Sequence, residues 1–465
     1  MKILLVNPGQ KGTYGRWKAP TYPPLGLGYL AAVLLRAGHE VDILDMEAGG
    51  MGEEAFRKWL GKARPDMVGF TCTTPLYHEV LRFSRLVKEE TGSLVCSGGI
   101  HPTVLPEEMF KDGNIDFVIR GEGEETILEL VDILKKKDRL EDCPGLAFTK
   151  DGRVFFTRPR ALISDLDSIP FPSHHILHRF GYFYPDSRYK RCFPIITSRG
   201  CGGECTFCCS QTIFTRKFRY RQAVKVVDEI EFLKERFGAR EIHIWDDNFT
   251  LLQRRVLEIR DEFKKRRISL SFAFPNGLRV DQVDEPTLRA LKDMGTYSVS
   301  FGVESGSQRI LDQVHKGVKI EEIKEAFRLS HSLGLETWAF FIVGLPGEDV
   351  STIKETISLA RELSPDVAKF HILKPFPGST VYTELVAEHL IDDFNYEHFG
   401  IHTGPIHHLP GLPREEIRRW QKACYRSFYF RPRVWWGQLR RFRTFYRLHS
   451  NLRVGWQLVR QMLVR

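Results

Sequence analysis

Nowhere does the chain contain a run of about eighteen apolar residues, the length a membrane-spanning helix needs, and its N-terminus lacks the basic, apolar and small-residue succession of a secretory signal. A cytoplasmic protein is therefore expected. Cysteine is scarce, with nine residues in 465. That is too few to staple a chain of this size with disulfides, and a reducing compartment leaves thiols free to bind metal. Short repeats and low-complexity tracts are absent, and 42% hydrophobic with 27% charged residues excludes a disordered or fibrous chain. The length exceeds one average domain and predicts two or three.

Charge is unevenly spread. Residues 411–465 hold fourteen Lys or Arg against two Glu, a surplus of twelve in a chain whose net charge is +9, so the remainder is slightly acidic.

Residues 1–140 alternate short apolar runs with helical stretches. Strands are expected at 2–7, 40–44, 67–71, 93–97 and 116–120, with a helix at 25–37 and another from near Glu124. Five such units predict a doubly wound, Rossmann-like parallel sheet, whose ligand would lie at the carboxyl ends of the strands. The loops there are small and polar: Tyr22-Pro23-Pro24-Leu25-Gly26, Thr71-Cys72-Thr73, Gly98-Gly99-Ile100-His101 and Gly121-Glu122-Gly123-Glu124. Taken alone, such Gly-rich turns are weak signals. A hairpin at 145–157 around Asp151-Gly152 opens a segment, 141–190, that is otherwise Pro-rich and linker-like.

A second alternation starts at Phe193, with strands expected at 193–197, 241–245, 269–274, 297–301, 337–343 and 367–373. Six consecutive parallel units predict a partial (β/α)6, TIM-like barrel over 191–400, with the active site at the strand C-terminal ends. A helical, basic-aromatic extension is expected over 401–465.

Directly after the first barrel strand comes Cys201-Gly-Gly-Glu-Cys205-Thr-Phe-Cys208. Three thiolates at these spacings can wrap one face of an iron-sulfur cluster and leave one iron open. The alternative is a zinc knuckle completed by Cys209 or a distant His, but the second Cys pair of a structural zinc site is missing nearby.

This CxxxCxxC pattern, with Phe207 before its last Cys, resembles the radical S-adenosylmethionine (SAM) superfamily. The resemblance implies a 4Fe-4S cluster on Cys201, Cys205 and Cys208 whose open iron chelates SAM, and reductive cleavage to a 5′-deoxyadenosyl radical by an external electron donor. Further stretches match in order: 245–249 (Trp-Asp-Asp-Asn-Phe), 276–281, 301–307 and 341–348. By that resemblance Phe207, Asp246 and Arg279 lie near SAM, Glu304 or Ser305 hydrogen-bonds it, and Ile342 lines the adenine. Asp246 and Asp247 read equally well as helix N-caps.

The first domain is similar to the cobalamin-binding domains fused to such barrels, on the strength of 23–45, Gly98 to Thr103 and Gly121 to Glu124. Cobalamin contacts are then implied for Tyr22, Pro24, Leu25, Gly26, Thr71, Thr73, Gly98, Gly99, His101, Gly121 and Glu122. A lone His such as His101 beside a Gly turn also reads as structural. Many cobalamin domains carry Asp-x-His-x-x-Gly after the first strand, whereas residues 9–18 here contain no His. Cobalamin bound without a protein imidazole is expected.

The resemblances together imply methylation of an unactivated carbon of a small-molecule, lipid or isoprenoid-like substrate. Cyclisation or rearrangement without methyl transfer, and a non-catalytic cobalamin or metal sensor, are the alternatives. Methylthiolation of tRNA fits poorly, because an N-terminal cysteine set and a C-terminal RNA-binding barrel are not evident. The Arg- and ring-rich tail reads as an interfacial helix on an anionic membrane surface, as a cap over the barrel, or, least well, as a nucleic-acid surface.

Overall fold

A computed structural model of the chain describes residues 1–9, 21–432, 434 and 446. Strands β1 (Lys2–Asn7), β2 (Glu40–Asp45), β3 (Met67–Thr71), β4 (Leu94–Gly98) and β5 (Phe117–Ile119) form a parallel sheet in the order β2-β1-β3-β4-β5. Ile3 and Leu5 point into one apolar core, Leu4 and Val6 into another on the opposite face. That alternation of buried residues on both faces is what a doubly wound sheet requires. The strand order reverses between β1 and β3, and a crevice at such a switch point is where these sheets take ligands.

The hairpin expected at 145–157 forms as β6 (Leu146–Lys150) and β7 (Arg153–Phe156), and it extends this sheet instead of standing in a connecting segment. β6 pairs antiparallel with β5, covering an edge that would otherwise expose the short, apolar β5.

The second half begins with β8 (Cys192–Ile195), followed by the small antiparallel ladder of β9 (Ser198–Arg199) and β10 (Arg219–Tyr220). Then come β11 (Glu241–Ile244), β12 (Ser271–Leu278), β13 (Thr296–Glu304), β14 (Glu336–Val343) and β15 (Val367–Ile372). β8 and β11 to β15 pair in sequence order, all parallel, giving a six-stranded partial barrel open between β8 and β15. Tyr297 on β13 reaches over β12 to Glu241 on β11, with Oη 2.5 Å from Oε1, a span that curvature permits.

Inside and outside differ in burial. On β14, Thr337, Ala339, Phe341 and Val343 are buried beneath the helices, whereas Trp338, Phe340 and Ile342 on the inner face keep accessible surface. β15 repeats this with Ala368, Phe370 and Ile372 against Lys369 and His371. The lumen is therefore hollow enough to admit water along these two strands.

The open edge of β15 is covered by the helix Arg414–Tyr429. Gln421, Tyr425 and Tyr429, spaced four apart on one helix face, supply what a further strand would. Tyr425 Oη accepts from the Phe370 amide (3.2 Å), Gln421 Nε2 donates to the Phe370 carbonyl (2.8 Å), and Tyr429 Oη serves both the amide and the carbonyl of Ala368 (3.2 and 2.9 Å). Ile417, Cys424 and Phe428 are buried beneath this helix. As far as Tyr429 the tail is a cap that turns Tyr425, Phe428 and Tyr429 to the barrel, Phe430 is exposed, and most of the basic-aromatic stretch after it lies outside the described residues. Among the described residues no helix is long and apolar enough to cross a membrane.

The two halves are locked by buried charge. Glu122 accepts from Arg199 Nη1 (2.7 Å), Arg219 Nη1 (2.8 Å) and the Ile163 amide (2.8 Å), and Glu124 accepts from Arg199 Nη2 (2.5 Å). All four side chains are buried. Burial alone would raise the Glu122 pKa, but Arg199 and Arg219 override it and hold the carboxyl below the usual range.

Candidate active site

The loop after β9 carries Cys201, Cys205 and Cys208, each partly exposed and none in a disulfide. A Cβ placed on Gly203 would lie 3.5 Å from Cys201 Sγ and 4.0 Å from Cys205 Sγ, so two sulfurs converge on the same stretch of bare backbone. Cys208 feels the charge of both the others. Cys209 is turned away, its Sγ 3.8 Å from the carbonyls of Phe376 and Pro377. A donor set of three soft thiols on one side of a small space, with the fourth withdrawn, fits a cluster having one free iron corner and does not close a tetrahedral zinc site.

Cations stand behind these sulfurs. Arg279, after β12, is held by Asp281 through two bonds of 3.0 Å and by the Lys316 carbonyl (3.0 Å), and its Nη1 lies 3.1 Å from the point a Gly203 Cβ would occupy. Lys316 is buried and its ammonium donates to Glu304 Oε1 (2.7 Å). Burial raises the Cys205 thiol pKa, while Lys316 and Arg279 pull against it. Burial also pushes Cys208 to about 11. Positive charge at this place favours thiolate, the form that binds iron.

Glu304 ends β13 with φ +64, a left-handed conformation that a non-glycine residue adopts only where its surroundings enforce it. Gly302 makes room for the pair: a Cβ there would stand 2.5 Å from Glu304 Oε1 and 2.9 Å from Lys316 Nζ. Asn248 donates to the Cys201 carbonyl (3.3 Å), and Asp247 accepts from the Gly200 amide (3.2 Å), so the strand end at β11 props the cysteine loop from below.

Other residues singled out in the sequence are placed differently. Asp246 is buried with its oxygens 2.5 Å from the Thr197 amide, the Thr197 hydroxyl and the Ser198 hydroxyl, which fastens β11 to the strand leading into the cysteines. Ser305 is buried and meets Thr356 Oγ1 at 3.3 Å. Phe207 packs against the barrel core, and Ile342 faces the lumen beside His371 on β15. Lys316 was not legible as a site residue. It sits in a His-Lys-Gly turn with two positive φ angles, a local strain that periodicity does not reveal.

At the switch-point edge of the first sheet Thr71 pairs in register with Gly98, and Tyr22, Gly26 and Thr73 are exposed. No atom lies within 4 Å of a Cβ built on Gly26 or Gly121, so this shelf is free of side-chain bulk and suits a large flat ligand such as a corrin. Pro24 precedes the helix Leu25–Arg36, and Leu25 belongs to the core. Gly99 (φ +115) packs against Cys72, its Cβ position 2.7 Å from the Cys72 carbonyl oxygen. The Tyr22 ring sits edge-on to Trp245 at the top of β11 (5.6 Å) and to Tyr184 (5.5 Å), so this shelf faces the barrel mouth.

His101 is fully buried between the rings of Tyr77 and Tyr396, 4.9 Å from each, and burial lowers its pKa to about 4. Its surroundings are those of a core histidine. Glu122 faces the barrel and spends both oxygens on the ion network that joins the two halves.

Comparison with known proteins identifies the family. The radical SAM superfamily matches residues 195–360 and the B12 binding domain residues 19–131. A Pyrococcus horikoshii protein named an uncharacterized methyltransferase is 34% identical over 93% of this chain and 94% of its own. The chain belongs to the cobalamin-dependent radical SAM enzymes. Its cofactors are a 4Fe-4S cluster, SAM and cobalamin.

Two further members of the family differ in the reaction their names state. The cytidylyl-2-hydroxyethylphosphonate methyltransferase of Streptomyces wedmorensis is 31% identical over 92% of this chain and 90% of its own. An anaerobic magnesium-protoporphyrin IX monomethyl ester cyclase of Rubrivivax gelatinosus is 31% identical over 92% of this chain and 77% of its own. In fold, the chain is similar to the methyltransferase TsrM from Kitasatospora setae, solved with cobalamin and a 4Fe-4S cluster. The TM-score is 0.75 at 18% identity, covering 99% of this chain and 98% of that one.

Proposed function

We propose that this enzyme transfers a methyl group to an unactivated carbon of a substrate held in the barrel lumen. When bound, the cluster and SAM supply a 5′-deoxyadenosyl radical that takes the substrate hydrogen, and methylcobalamin supplies the methyl group. The observation that carries the reading is a loop bearing three partly exposed thiols, two of them beside Gly203, next to a partial barrel whose inner face keeps accessible surface.

In this reading Cys201, Cys205 and Cys208 hold the cluster, and Arg279 and Lys316 offset the negative charge of its thiolates. Lys316 keeps Glu304 in place beside SAM, and Ile342 flanks the adenine. Tyr22, Gly26, Thr71, Thr73, Gly98 and Gly121 border the corrin. Trp338 and Phe340 form an apolar wall that shields a reactive radical from side reactions. An external donor supplies the electron.

Ring closure without methyl transfer is the second reading, because a cyclase stands as near to this chain in sequence as a named methyltransferase does. Incubating the reconstituted enzyme with SAM labelled in its methyl group separates the two. A product heavier than substrate by one labelled methylene supports methylation; 5′-deoxyadenosine formed with an unlabelled, dehydrogenated or isomeric product overturns it.

A further inference from the structure

Lys369 is not among the residues assigned above to the cluster, SAM or the corrin. It lies on the inner face of β15, one repeat below His371, and pairs across the strands with Phe340 on β14. Its ammonium stands 4.8 Å from the Trp338 ring centroid and 5.4 Å from that of Phe340. Among the described residues it has neither a hydrogen-bonded nor an ion-paired partner. The carboxylate it feels is Asp186, which attracts it without forming an ion pair.

An ammonium set inside a barrel without a counter-ion is costly, and proteins keep such groups where a ligand completes them. The two rings stabilise a cation by their quadrupoles, but they replace little of the hydration it has given up. Burial accordingly holds Lys369 below the usual lysine range.

Two histidines share the space. His371, with its ring centroid 6.4 Å from that of Phe340, is held at about 4 by burial and by the Lys369 charge. His402 is held at about 4 by the same two causes, although it is exposed. Lys369 is the cation of this space, Asp186 opposes it, Glu336 is occupied by the Trp338 indole (3.0 Å), and the walls are aromatic.

Resting on the reading that this lumen holds the substrate, we propose that the substrate is an organic anion, with a carboxylate or phosphoryl group on an apolar body, and that Lys369 selects it. The anion meets the Lys369 ammonium while the apolar body lies along Trp338 and Phe340. His371 and His402 add donors, since an anion at this place favours their protonated forms.

The test is calorimetric titration of the anaerobically reconstituted holoenzyme with phenylphosphonate, phenylacetate and, as the uncharged counterpart, benzyl alcohol. At least one anion is expected to bind about tenfold or more tightly than the alcohol, and the one that does tells phosphoryl from carboxylate. Lys369→Met should abolish that preference, with iron and cobalamin content reporting its fold, and Lys369→Arg should keep it to within about threefold. The proposal is overturned if neither anion binds, if the alcohol binds as tightly as both, or if Lys369→Met leaves the preference intact. The wild-type comparison decides even if the variant fails to load. No turnover enters these titrations, so a missing methylated product alongside retained anion preference overturns methyl transfer alone.

Discussion

Cys201→Ala, Cys205→Ala and Cys208→Ala are each expected to abolish cluster assembly and SAM cleavage, with 5′-deoxyadenosine formation falling at least about a thousandfold, the equivalent of about 4 kcal/mol of barrier. Two remaining thiols cannot wrap a cluster face, and the other charged side chains that act on these thiols, Arg279, Lys316, Glu304 and Asp247, offer no soft donor. Cys209→Ala should keep both iron and cleavage, because that sulfur already faces Phe376 and Pro377. Iron per chain, the cluster absorption band and 5′-deoxyadenosine yield check the series. Full iron content in any one of the three variants, or its loss in Cys209→Ala, contradicts the assignment.

The second large effect concerns stability. Glu122→Gln removes the carboxylate that serves both Arg199 and Arg219, leaving buried Arg219 short of a counter-ion and Arg199 with Glu124 alone, at a cost of about 3–5 kcal/mol. Arg199 lies two residues before Cys201, so the variant should also bind less iron at room temperature. Thermal unfolding and iron content, measured on one sample, check both consequences. An unchanged melting temperature would mean that the ion network does not hold the halves together.

The same network predicts an acid limit. The Glu122 carboxyl is depressed in the folded state, so its contribution is fully present above the usual carboxylate range and is lost as pH falls through the depressed value. Wild-type stability should fall on acidification with a steeper slope than that of Glu122→Gln.

Most of the scaffold was legible because its signals are local. Apolar runs of strand length recur between amphipathic helices, and β8 and β11 to β15 appear within a few residues of where their patterning puts them. The Cys201 to Cys208 spacing is equally local, since it is set by one loop. The roles of Asp246 and Glu122 were less legible, because each is bonded to partners far along the chain: Thr197 and Ser198 for one, Arg199 and Arg219 for the other. A carboxylate in a conspicuous motif has the same signature in sequence whether it meets a ligand or a distant arginine. His101 shows the same degeneracy, its core position being set by Tyr77 and by Tyr396 from the far end of the barrel. Lys316 and Lys369 were illegible for the opposite reason. Single lysines carry no pattern, and only the curvature of the barrel brings one behind the cysteines and turns the other into the lumen.

In the proposed chemistry three thiolates leave a vacant metal corner that SAM itself occupies. Electron paramagnetic resonance of the reduced, reconstituted enzyme tests it most directly, recorded before and after SAM is added. SAM is expected to shift the cluster signal, and SAM isotopically labelled at its amino or carboxylate group to broaden it. A cluster signal identical with and without saturating SAM would contradict it.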